Sequence, residues 1–144
     1  MNQYFEQMIL SASPVEIVCL LYQRAIRSVR DAREHLKAGQ ILERTKAINH
    51  AWMVLLELVN SLDQSAAPEI AEKLHSLYGY MQARLLDANM QQAEEPLSEV
   101  LMLLTTLAEA WDGVTAAEKR RQEQPAWAHA PLAEGEYSRY AVSA

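Results

Sequence analysis

The sequence predicts an all-α fold, an antiparallel up-and-down four-helix bundle, and three observations carry that expectation. Of the 144 residues, 50% are hydrophobic and 22% charged, while glycine numbers only 4, a globular composition poor in the residues that sheet turns require. Apolar residues recur at spacings of three and four in four separate stretches. The breaks between those stretches are short, and connections of that length reach only the adjacent end of a neighbouring helix, so successive helices must alternate in direction. A chain of this length fits one domain and can bury a core without disulfides or metals.

The first helix is announced by Ser13-Pro14-Val15-Glu16, which supplies an N-cap hydroxyl, a proline at the first helical position and an acid at N3. Ile17, Leu21, Ala25, Val29, Ala32 and Leu36 then keep one face inward until Lys37 and Gly39 close the helix. In the second stretch Ile41, Thr45, Ile48, Trp52, Leu55, Val59 and Leu62 alternate gaps of four and three, the seam of a bundle helix. Asp63 to Ala67 form a polar, small-residue break. Pro68-Glu69 suit the first turn of a third helix with Ile70, Leu74, Leu77, Met81, Leu85 and Ala88 inward. The fourth begins near Ala93, where Glu94 and Glu95 favour the positive helix end and Pro96 is tolerable only in the first turn. Its seam is Leu97, Val100, Leu104, Leu107, Trp111 and Val114. The expected organisation is an N-terminal strap over 1–12, a bundle over 13–121 with helices at 13–38, 41–62, 67–90 and 93–118, and a poorly ordered or loosely docked tail over 122–144.

Composition also narrows function. A net charge of −6 argues against the broad cationic surface that drives nucleic-acid affinity. The lone Cys19, the absence of a basic, apolar leader in MNQYFEQMIL and the lack of a long uncharged apolar run point to a cytoplasmic chain that is not inserted in a membrane. Glu72 and His75, three apart on the third helix, are half of the di-iron signature of helical bundles, but His35, His50 and His129 lack a Glu three residues earlier, so the motif is unpaired. Cys19 has no activating base nearby, and no glycine loop could cradle a phosphate. No enzymatic activity, cofactor or metal is expected.

Two features exceed what a bundle needs. The second helix is apolar from Ala51 to Val59 except for Glu57, and on a helical wheel centred on Leu55 the flanks Val54 and Leu58 on one side and Leu56 on the other widen the apolar arc to about 200°. Either this helix touches two neighbours, or part of the arc lines a groove for another chain. Tyr4, Phe5, Met8, Ile9 and Leu10 precede the first helix with no seam of their own, as a lid or strap over the bundle would.

Ser11-Ala12-Ser13-Pro14, Leu20-Leu21-Tyr22 and Ala25-Ile26, with Tyr4 at the place of an N-terminal tyrosine, resemble the first helix of the FliS family of flagellin chaperones. Ser61-Leu62-Asp63, Glu69-Ile70-Ala71, Leu74, Leu77-Tyr78, Tyr80-Met81, Arg84-Leu85 and Ala88-Asn89 resemble its most distinctive block, and Glu99-Val100, Leu103-Leu104 and Ala110-Trp111 its fourth helix. The likeness runs over about residues 4–115; Ala67-Pro68 replace the usual glycines, the strap is short and the tail after Arg121 is long. The resemblance implies an export chaperone that binds the disordered C-terminal segment of new flagellin, prevents its polymerisation and helps deliver it to the flagellar export gate. By the same resemblance Tyr4 and Ile9 are strap residues, and Tyr22, Leu58, Tyr78, Tyr80, Met81 and Arg84 are groove or frame residues. Tyr78 and Met81 also fit an ordinary core, and Asp63 and Asn89 fit helix-end caps. The competing expectation is a self-associating structural bundle, a homodimer joined through the spare apolar face of the second helix.

Overall fold

A computed structural model describes residues 14–65, 67–124 and 127. Four α-helices follow one another, α1 (Pro14–Lys37), α2 (Ile41–Asn60), α3 (Pro68–Gln91) and α4 (Glu95–Glu123), with no strand among the described residues. The expected strap, the Ser13 cap and all but the start of the expected tail, apart from residue 127, lie outside them.

The helix ends follow local chemistry. Gly39 takes the left-handed conformation (φ 71°), and the N–H groups of Gly39 and Gln40 donate to the carbonyls of Leu36 (3.2 Å) and His35 (2.9 Å), which closes α1 in a Schellman motif. After α2, the Asp63 carboxylate accepts the Ser65 backbone N–H at 3.0 Å and its hydroxyl at 2.6 Å. Asp63 thus shapes the turn rather than capping a helix. Pro68 and Pro96 sit in the first turns of α3 and α4. Glu94, just before α4, accepts the Ser98 hydroxyl at 2.6 Å and pairs with Arg33 of α1 at 3.1 Å, and these partners hold its carboxyl below the usual range.

Gln92 ends α3 with φ 51° and ψ 46°, a left-handed conformation that costs a side-chain-bearing residue about 1 kcal/mol and glycine almost nothing. Gln92→Gly relieves that cost but also removes the Oε1 that accepts from the buried Arg44 Nη1 at 3.5 Å, so the two effects are expected to offset to within about 0.5 kcal/mol, read as a nearly unchanged midpoint in urea unfolding.

Direction is evident from the cross-links between helices. Cys19, Tyr22 and Arg33 along α1 meet, in descending order, Thr115 and Trp111 of α4 and Glu94 just before it. Arg44 of α2 meets Asn89 of α3, and Gln82 donates to the Trp52 carbonyl. Each helix packs on its chain neighbours and α1 also on α4, so the four close into an antiparallel ring. Along α1 and α2 a polar edge contact joins Ser28 Oγ to His50 Nδ1 at 2.5 Å, while Arg24 approaches His50 Nε2 at 3.2 Å; burial and then the Arg24 charge push the His50 pKa down.

The core is built from Tyr22, Ala25, Ile26, Val29 and Ala32 of α1, Ile48, Ala51, Val54, Leu55 and Leu58 of α2, Tyr78, Met81, Leu85 and Ala88 of α3, and Leu97, Val100, Leu104 and Ala108 of α4. Several expected seam positions are corrected. Ile41 (58% exposed) and Ile70 (61%) lie in the first turns of α2 and α3, where the facing helices no longer cover them, and Val114 (48%) is half-exposed on α4. Of the two readings left open for the apolar arc of α2, Val54 and Leu58 follow the first and are buried between neighbours, because a helix in a four-membered ring is covered on two sides. Leu56 is half-buried and Met53 exposed. By length and composition α4 could cross a membrane, but its apolar seam is spent on this core.

Arg44 is a buried cation. Its Nε donates to Asn89 Oδ1 at 3.1 Å, the Thr45 hydroxyl lies 3.1 Å from the same oxygen, and the guanidinium stands by the C-terminal end of α3, whose dipole favours positive charge. Asn89 therefore locks α2 to α3 rather than capping a helix.

Candidate partner-binding cavity

At the end of the bundle where α1 begins, α2 passes to α3 and α4 leaves Trp111, the core stops short of filling the space between helices. Val15, Ile17 and Val18 of α1, Leu62 of the connection, Ile70, Leu74 and Tyr78 of α3 and Trp111 line a cavity of about 400 Å³. Its walls are apolar for a local reason. The first two turns of α3 bring Ile70 and Leu74 to the lining, and α3 and α4 are the least closely packed neighbours, so among the described residues the layer between them is left unfilled. The cavity is open, with Ile70 at 61% exposure on its rim. The polar groups beside it, Ser61 and Asp63, belong to the α2–α3 turn.

The cavity rests on a polar triad set among apolar core side chains. The Tyr22 and Tyr78 hydroxyls are 2.5 Å apart, Trp111 Nε1–H donates to Tyr22 Oη at 3.2 Å, and the two phenol rings meet at 6.4 Å between centroids, tilted by 56°. Tyr22 is 0% and Tyr78 1% exposed. Burial pushes both phenol pKa values up, so both remain neutral hydrogen-bond donors at physiological pH.

The expected site residues fall into separate places. Tyr22, Leu58 and Met81 are fully enclosed core, and Tyr78 is enclosed while also lining the cavity. Tyr80 and Arg84 are outside its lining: the half-exposed Tyr80 donates to Glu99 of α4, a bond that raises its phenol pKa, and Arg84 lies 3.5 Å from both Asp87 and Glu99. Tyr4 and Ile9 lie outside the described residues. The lining residues Ile70, Leu74 and Trp111 are read from the sequence as seam and as part of the resembling blocks; for Ile70 and Leu74 the signal that sets them apart is their position in the first two turns of α3.

Elsewhere, Cys19 Sγ lies 3.2 Å from Thr115 Oγ1 and burial raises its thiol pKa, so it is not held as a reactive thiolate. Glu72 and His75 are exposed on α3. No cluster of three or more His, Cys, Asp or Glu side chains able to hold a metal occurs among the described residues.

The family described as flagellar protein FliS matches residues 1–118. The flagellar secretion chaperone FliS of Salmonella typhimurium is 34% identical over 111 residues, 76% of this chain and 82% of that protein. The flagellar secretion chaperone FliSB of Pseudomonas aeruginosa is 33% identical over 119 residues, 80% of this chain and 94% of that protein. A crystal structure of a bacterial flagellar chaperone superposes with a TM-score of 0.69 over 80% of this chain and 97% of its own, at 15% identity, and so supports the fold. On sequence and fold together, the chain belongs to the FliS family of flagellar secretion chaperones.

Proposed function

We propose that the protein is a cytoplasmic export chaperone that binds the disordered C-terminal segment of flagellin, keeps it from polymerising prematurely and assists its transfer to the flagellar export gate. The family membership supports the class of function, and the open apolar cavity supports the mode. A disordered client loses conformational entropy on binding, and a cavity whose lining is already exposed to water returns free energy when the client covers it. The buried Tyr22, Leu58 and Met81 then act as frame beneath the surface that the client touches, with Tyr78 at the boundary, while Tyr4 and Ile9 are proposed as strap residues on the family resemblance alone. Self-association through α2 is less well supported, because Val54 and Leu58 are used within the bundle.

Calorimetric titration with a peptide covering the C-terminal segment of its own organism's flagellin tests this reading. Saturable one-to-one binding with a negative heat-capacity change is expected. No complex at about 50 µM would overturn it.

A further inference from the structure

The Tyr22–Tyr78–Trp111 triad does not balance internally. It holds three donor hydrogens, one on Trp111 Nε1 and one on each hydroxyl, but only two acceptor oxygens linked in the chain, Tyr22 Oη and Tyr78 Oη. If Tyr78 donates to Tyr22, the Tyr22 oxygen receives two hydrogens and its own proton has no acceptor inside a fully enclosed site. If Tyr22 donates to Tyr78, the surplus proton belongs to Tyr78, and Tyr78 lines the cavity. Buried polar hydrogens in native proteins nearly always find an acceptor, and one left without costs free energy. Of the two arrangements, only the second leaves its surplus donor on a residue that lines a space another molecule can enter.

From this we infer that the Tyr78 hydroxyl is a specificity-determining donor, which gives its hydrogen to a main-chain carbonyl of the polypeptide segment occupying the cavity. The inference rests on the chaperone reading above. A carbonyl suits the site better than a carboxylate, since the walls beside Tyr78, Val18, Leu74 and Trp111, are apolar and would leave a buried charge without a counterion. In the free protein water can accept the proton, and the incoming carbonyl replaces it. The cavity would then prefer segments that pair apolar side chains with an unsatisfied carbonyl, as an extended strand or the last turn of a helix does.

Titrating wild type, Y78F and Y22F with the flagellin C-terminal peptide tests the assignment, with thermal melts confirming that each variant is folded. Y78F is expected to bind about fivefold to tenfold more weakly, the worth of one neutral hydrogen bond. Y22F removes an equivalent buried hydroxyl and the acceptor of the Trp111 N–H but leaves Tyr78 free to donate, so its loss of affinity is expected to be clearly smaller than that of Y78F. Replacing the peptide's amide bonds one at a time by esters, which are poorer acceptors, should reveal one position whose cost in wild type disappears in Y78F. Wild-type affinity in Y78F, equal losses in both variants, or an ester scan with no position coupled to Tyr78 would each overturn the inference while leaving the chaperone reading in place. Failure of wild type to bind the peptide would overturn that reading, and the inference with it.

Discussion

Truncating Leu58 to alanine is expected to destabilise the bundle by about 3 kcal/mol while leaving the flagellin affinity of the folded protein within about twofold. Leu58 is 0% exposed and belongs to the continuous core with Leu55, Met81 and Leu85. Its loss removes the transfer free energy of the buried side chain and leaves a void that the antiparallel ring can close only partly, since helices locked by the Arg44–Asn89 and Tyr22–Tyr78 contacts have little freedom to move inward. For a chain of this size the melting temperature should fall by about 10 °C. Urea unfolding should show a lower midpoint with an unchanged slope, and titration well below the new melting temperature should show near wild-type affinity. A large loss of affinity with unchanged stability would place Leu58 in the groove instead of the frame, contrary to its burial.

That distinction marks how far the sequence could be read. Helix ends were legible because their chemistry is local: Pro14, Gly39, Pro68 and Pro96 each act on their own turn. The reach of α4 was underestimated, since its seam fades near Val114 while the helix continues to Glu123. Its last turns need no core, because Ala116, Ala117, Lys119, Arg120, Arg121 and Gln122 are good helix formers in water. Faces were harder. Periodicity gives the width of an apolar arc but not the direction of the neighbours, so the excess on α2 fitted a groove as well as it fitted a second neighbour.

Long-range polar partnerships were not legible at all. Nothing near Arg44 in the chain announces that Asn89, 45 residues away, will accept its Nε–H, nor that Tyr22 will meet a tyrosine 56 residues away and a tryptophan 89 residues away. The cavity was hidden for a related reason. Among the described residues it consists of a layer left unfilled, and a pattern of residues present does not announce an unfilled layer.

Replacing Ile70 with glutamate is expected to weaken binding of the flagellin segment at least tenfold, about 1.4 kcal/mol, with almost no change in stability. Ile70 is 61% exposed in the free protein, so the substitution forfeits little burial there. It falls in the first turn of α3, after Pro68 and Glu69, where a carboxylate is favoured by the helix dipole. Binding changes that balance. A client filling the cavity would cover the Ile70 side chain, and full burial of an isoleucine contributes about 1.5–3 kcal/mol, of which the still-exposed part is at stake. A glutamate in its place loses that contribution and must also shed water from a charged carboxylate against Leu74 and Trp111. Ile70→Val, which removes a single methylene worth about 0.8 kcal/mol when buried, should cost no more than about threefold. The graded pair separates client burial from any general disturbance of α3, because both variants should melt within a few degrees of wild type. Wild-type affinity in Ile70→Glu would mean that the client bypasses the cavity, and the outer apolar side chains Met53, Leu86 and Met90, at 52%, 47% and 81% exposure, would become the surface to test.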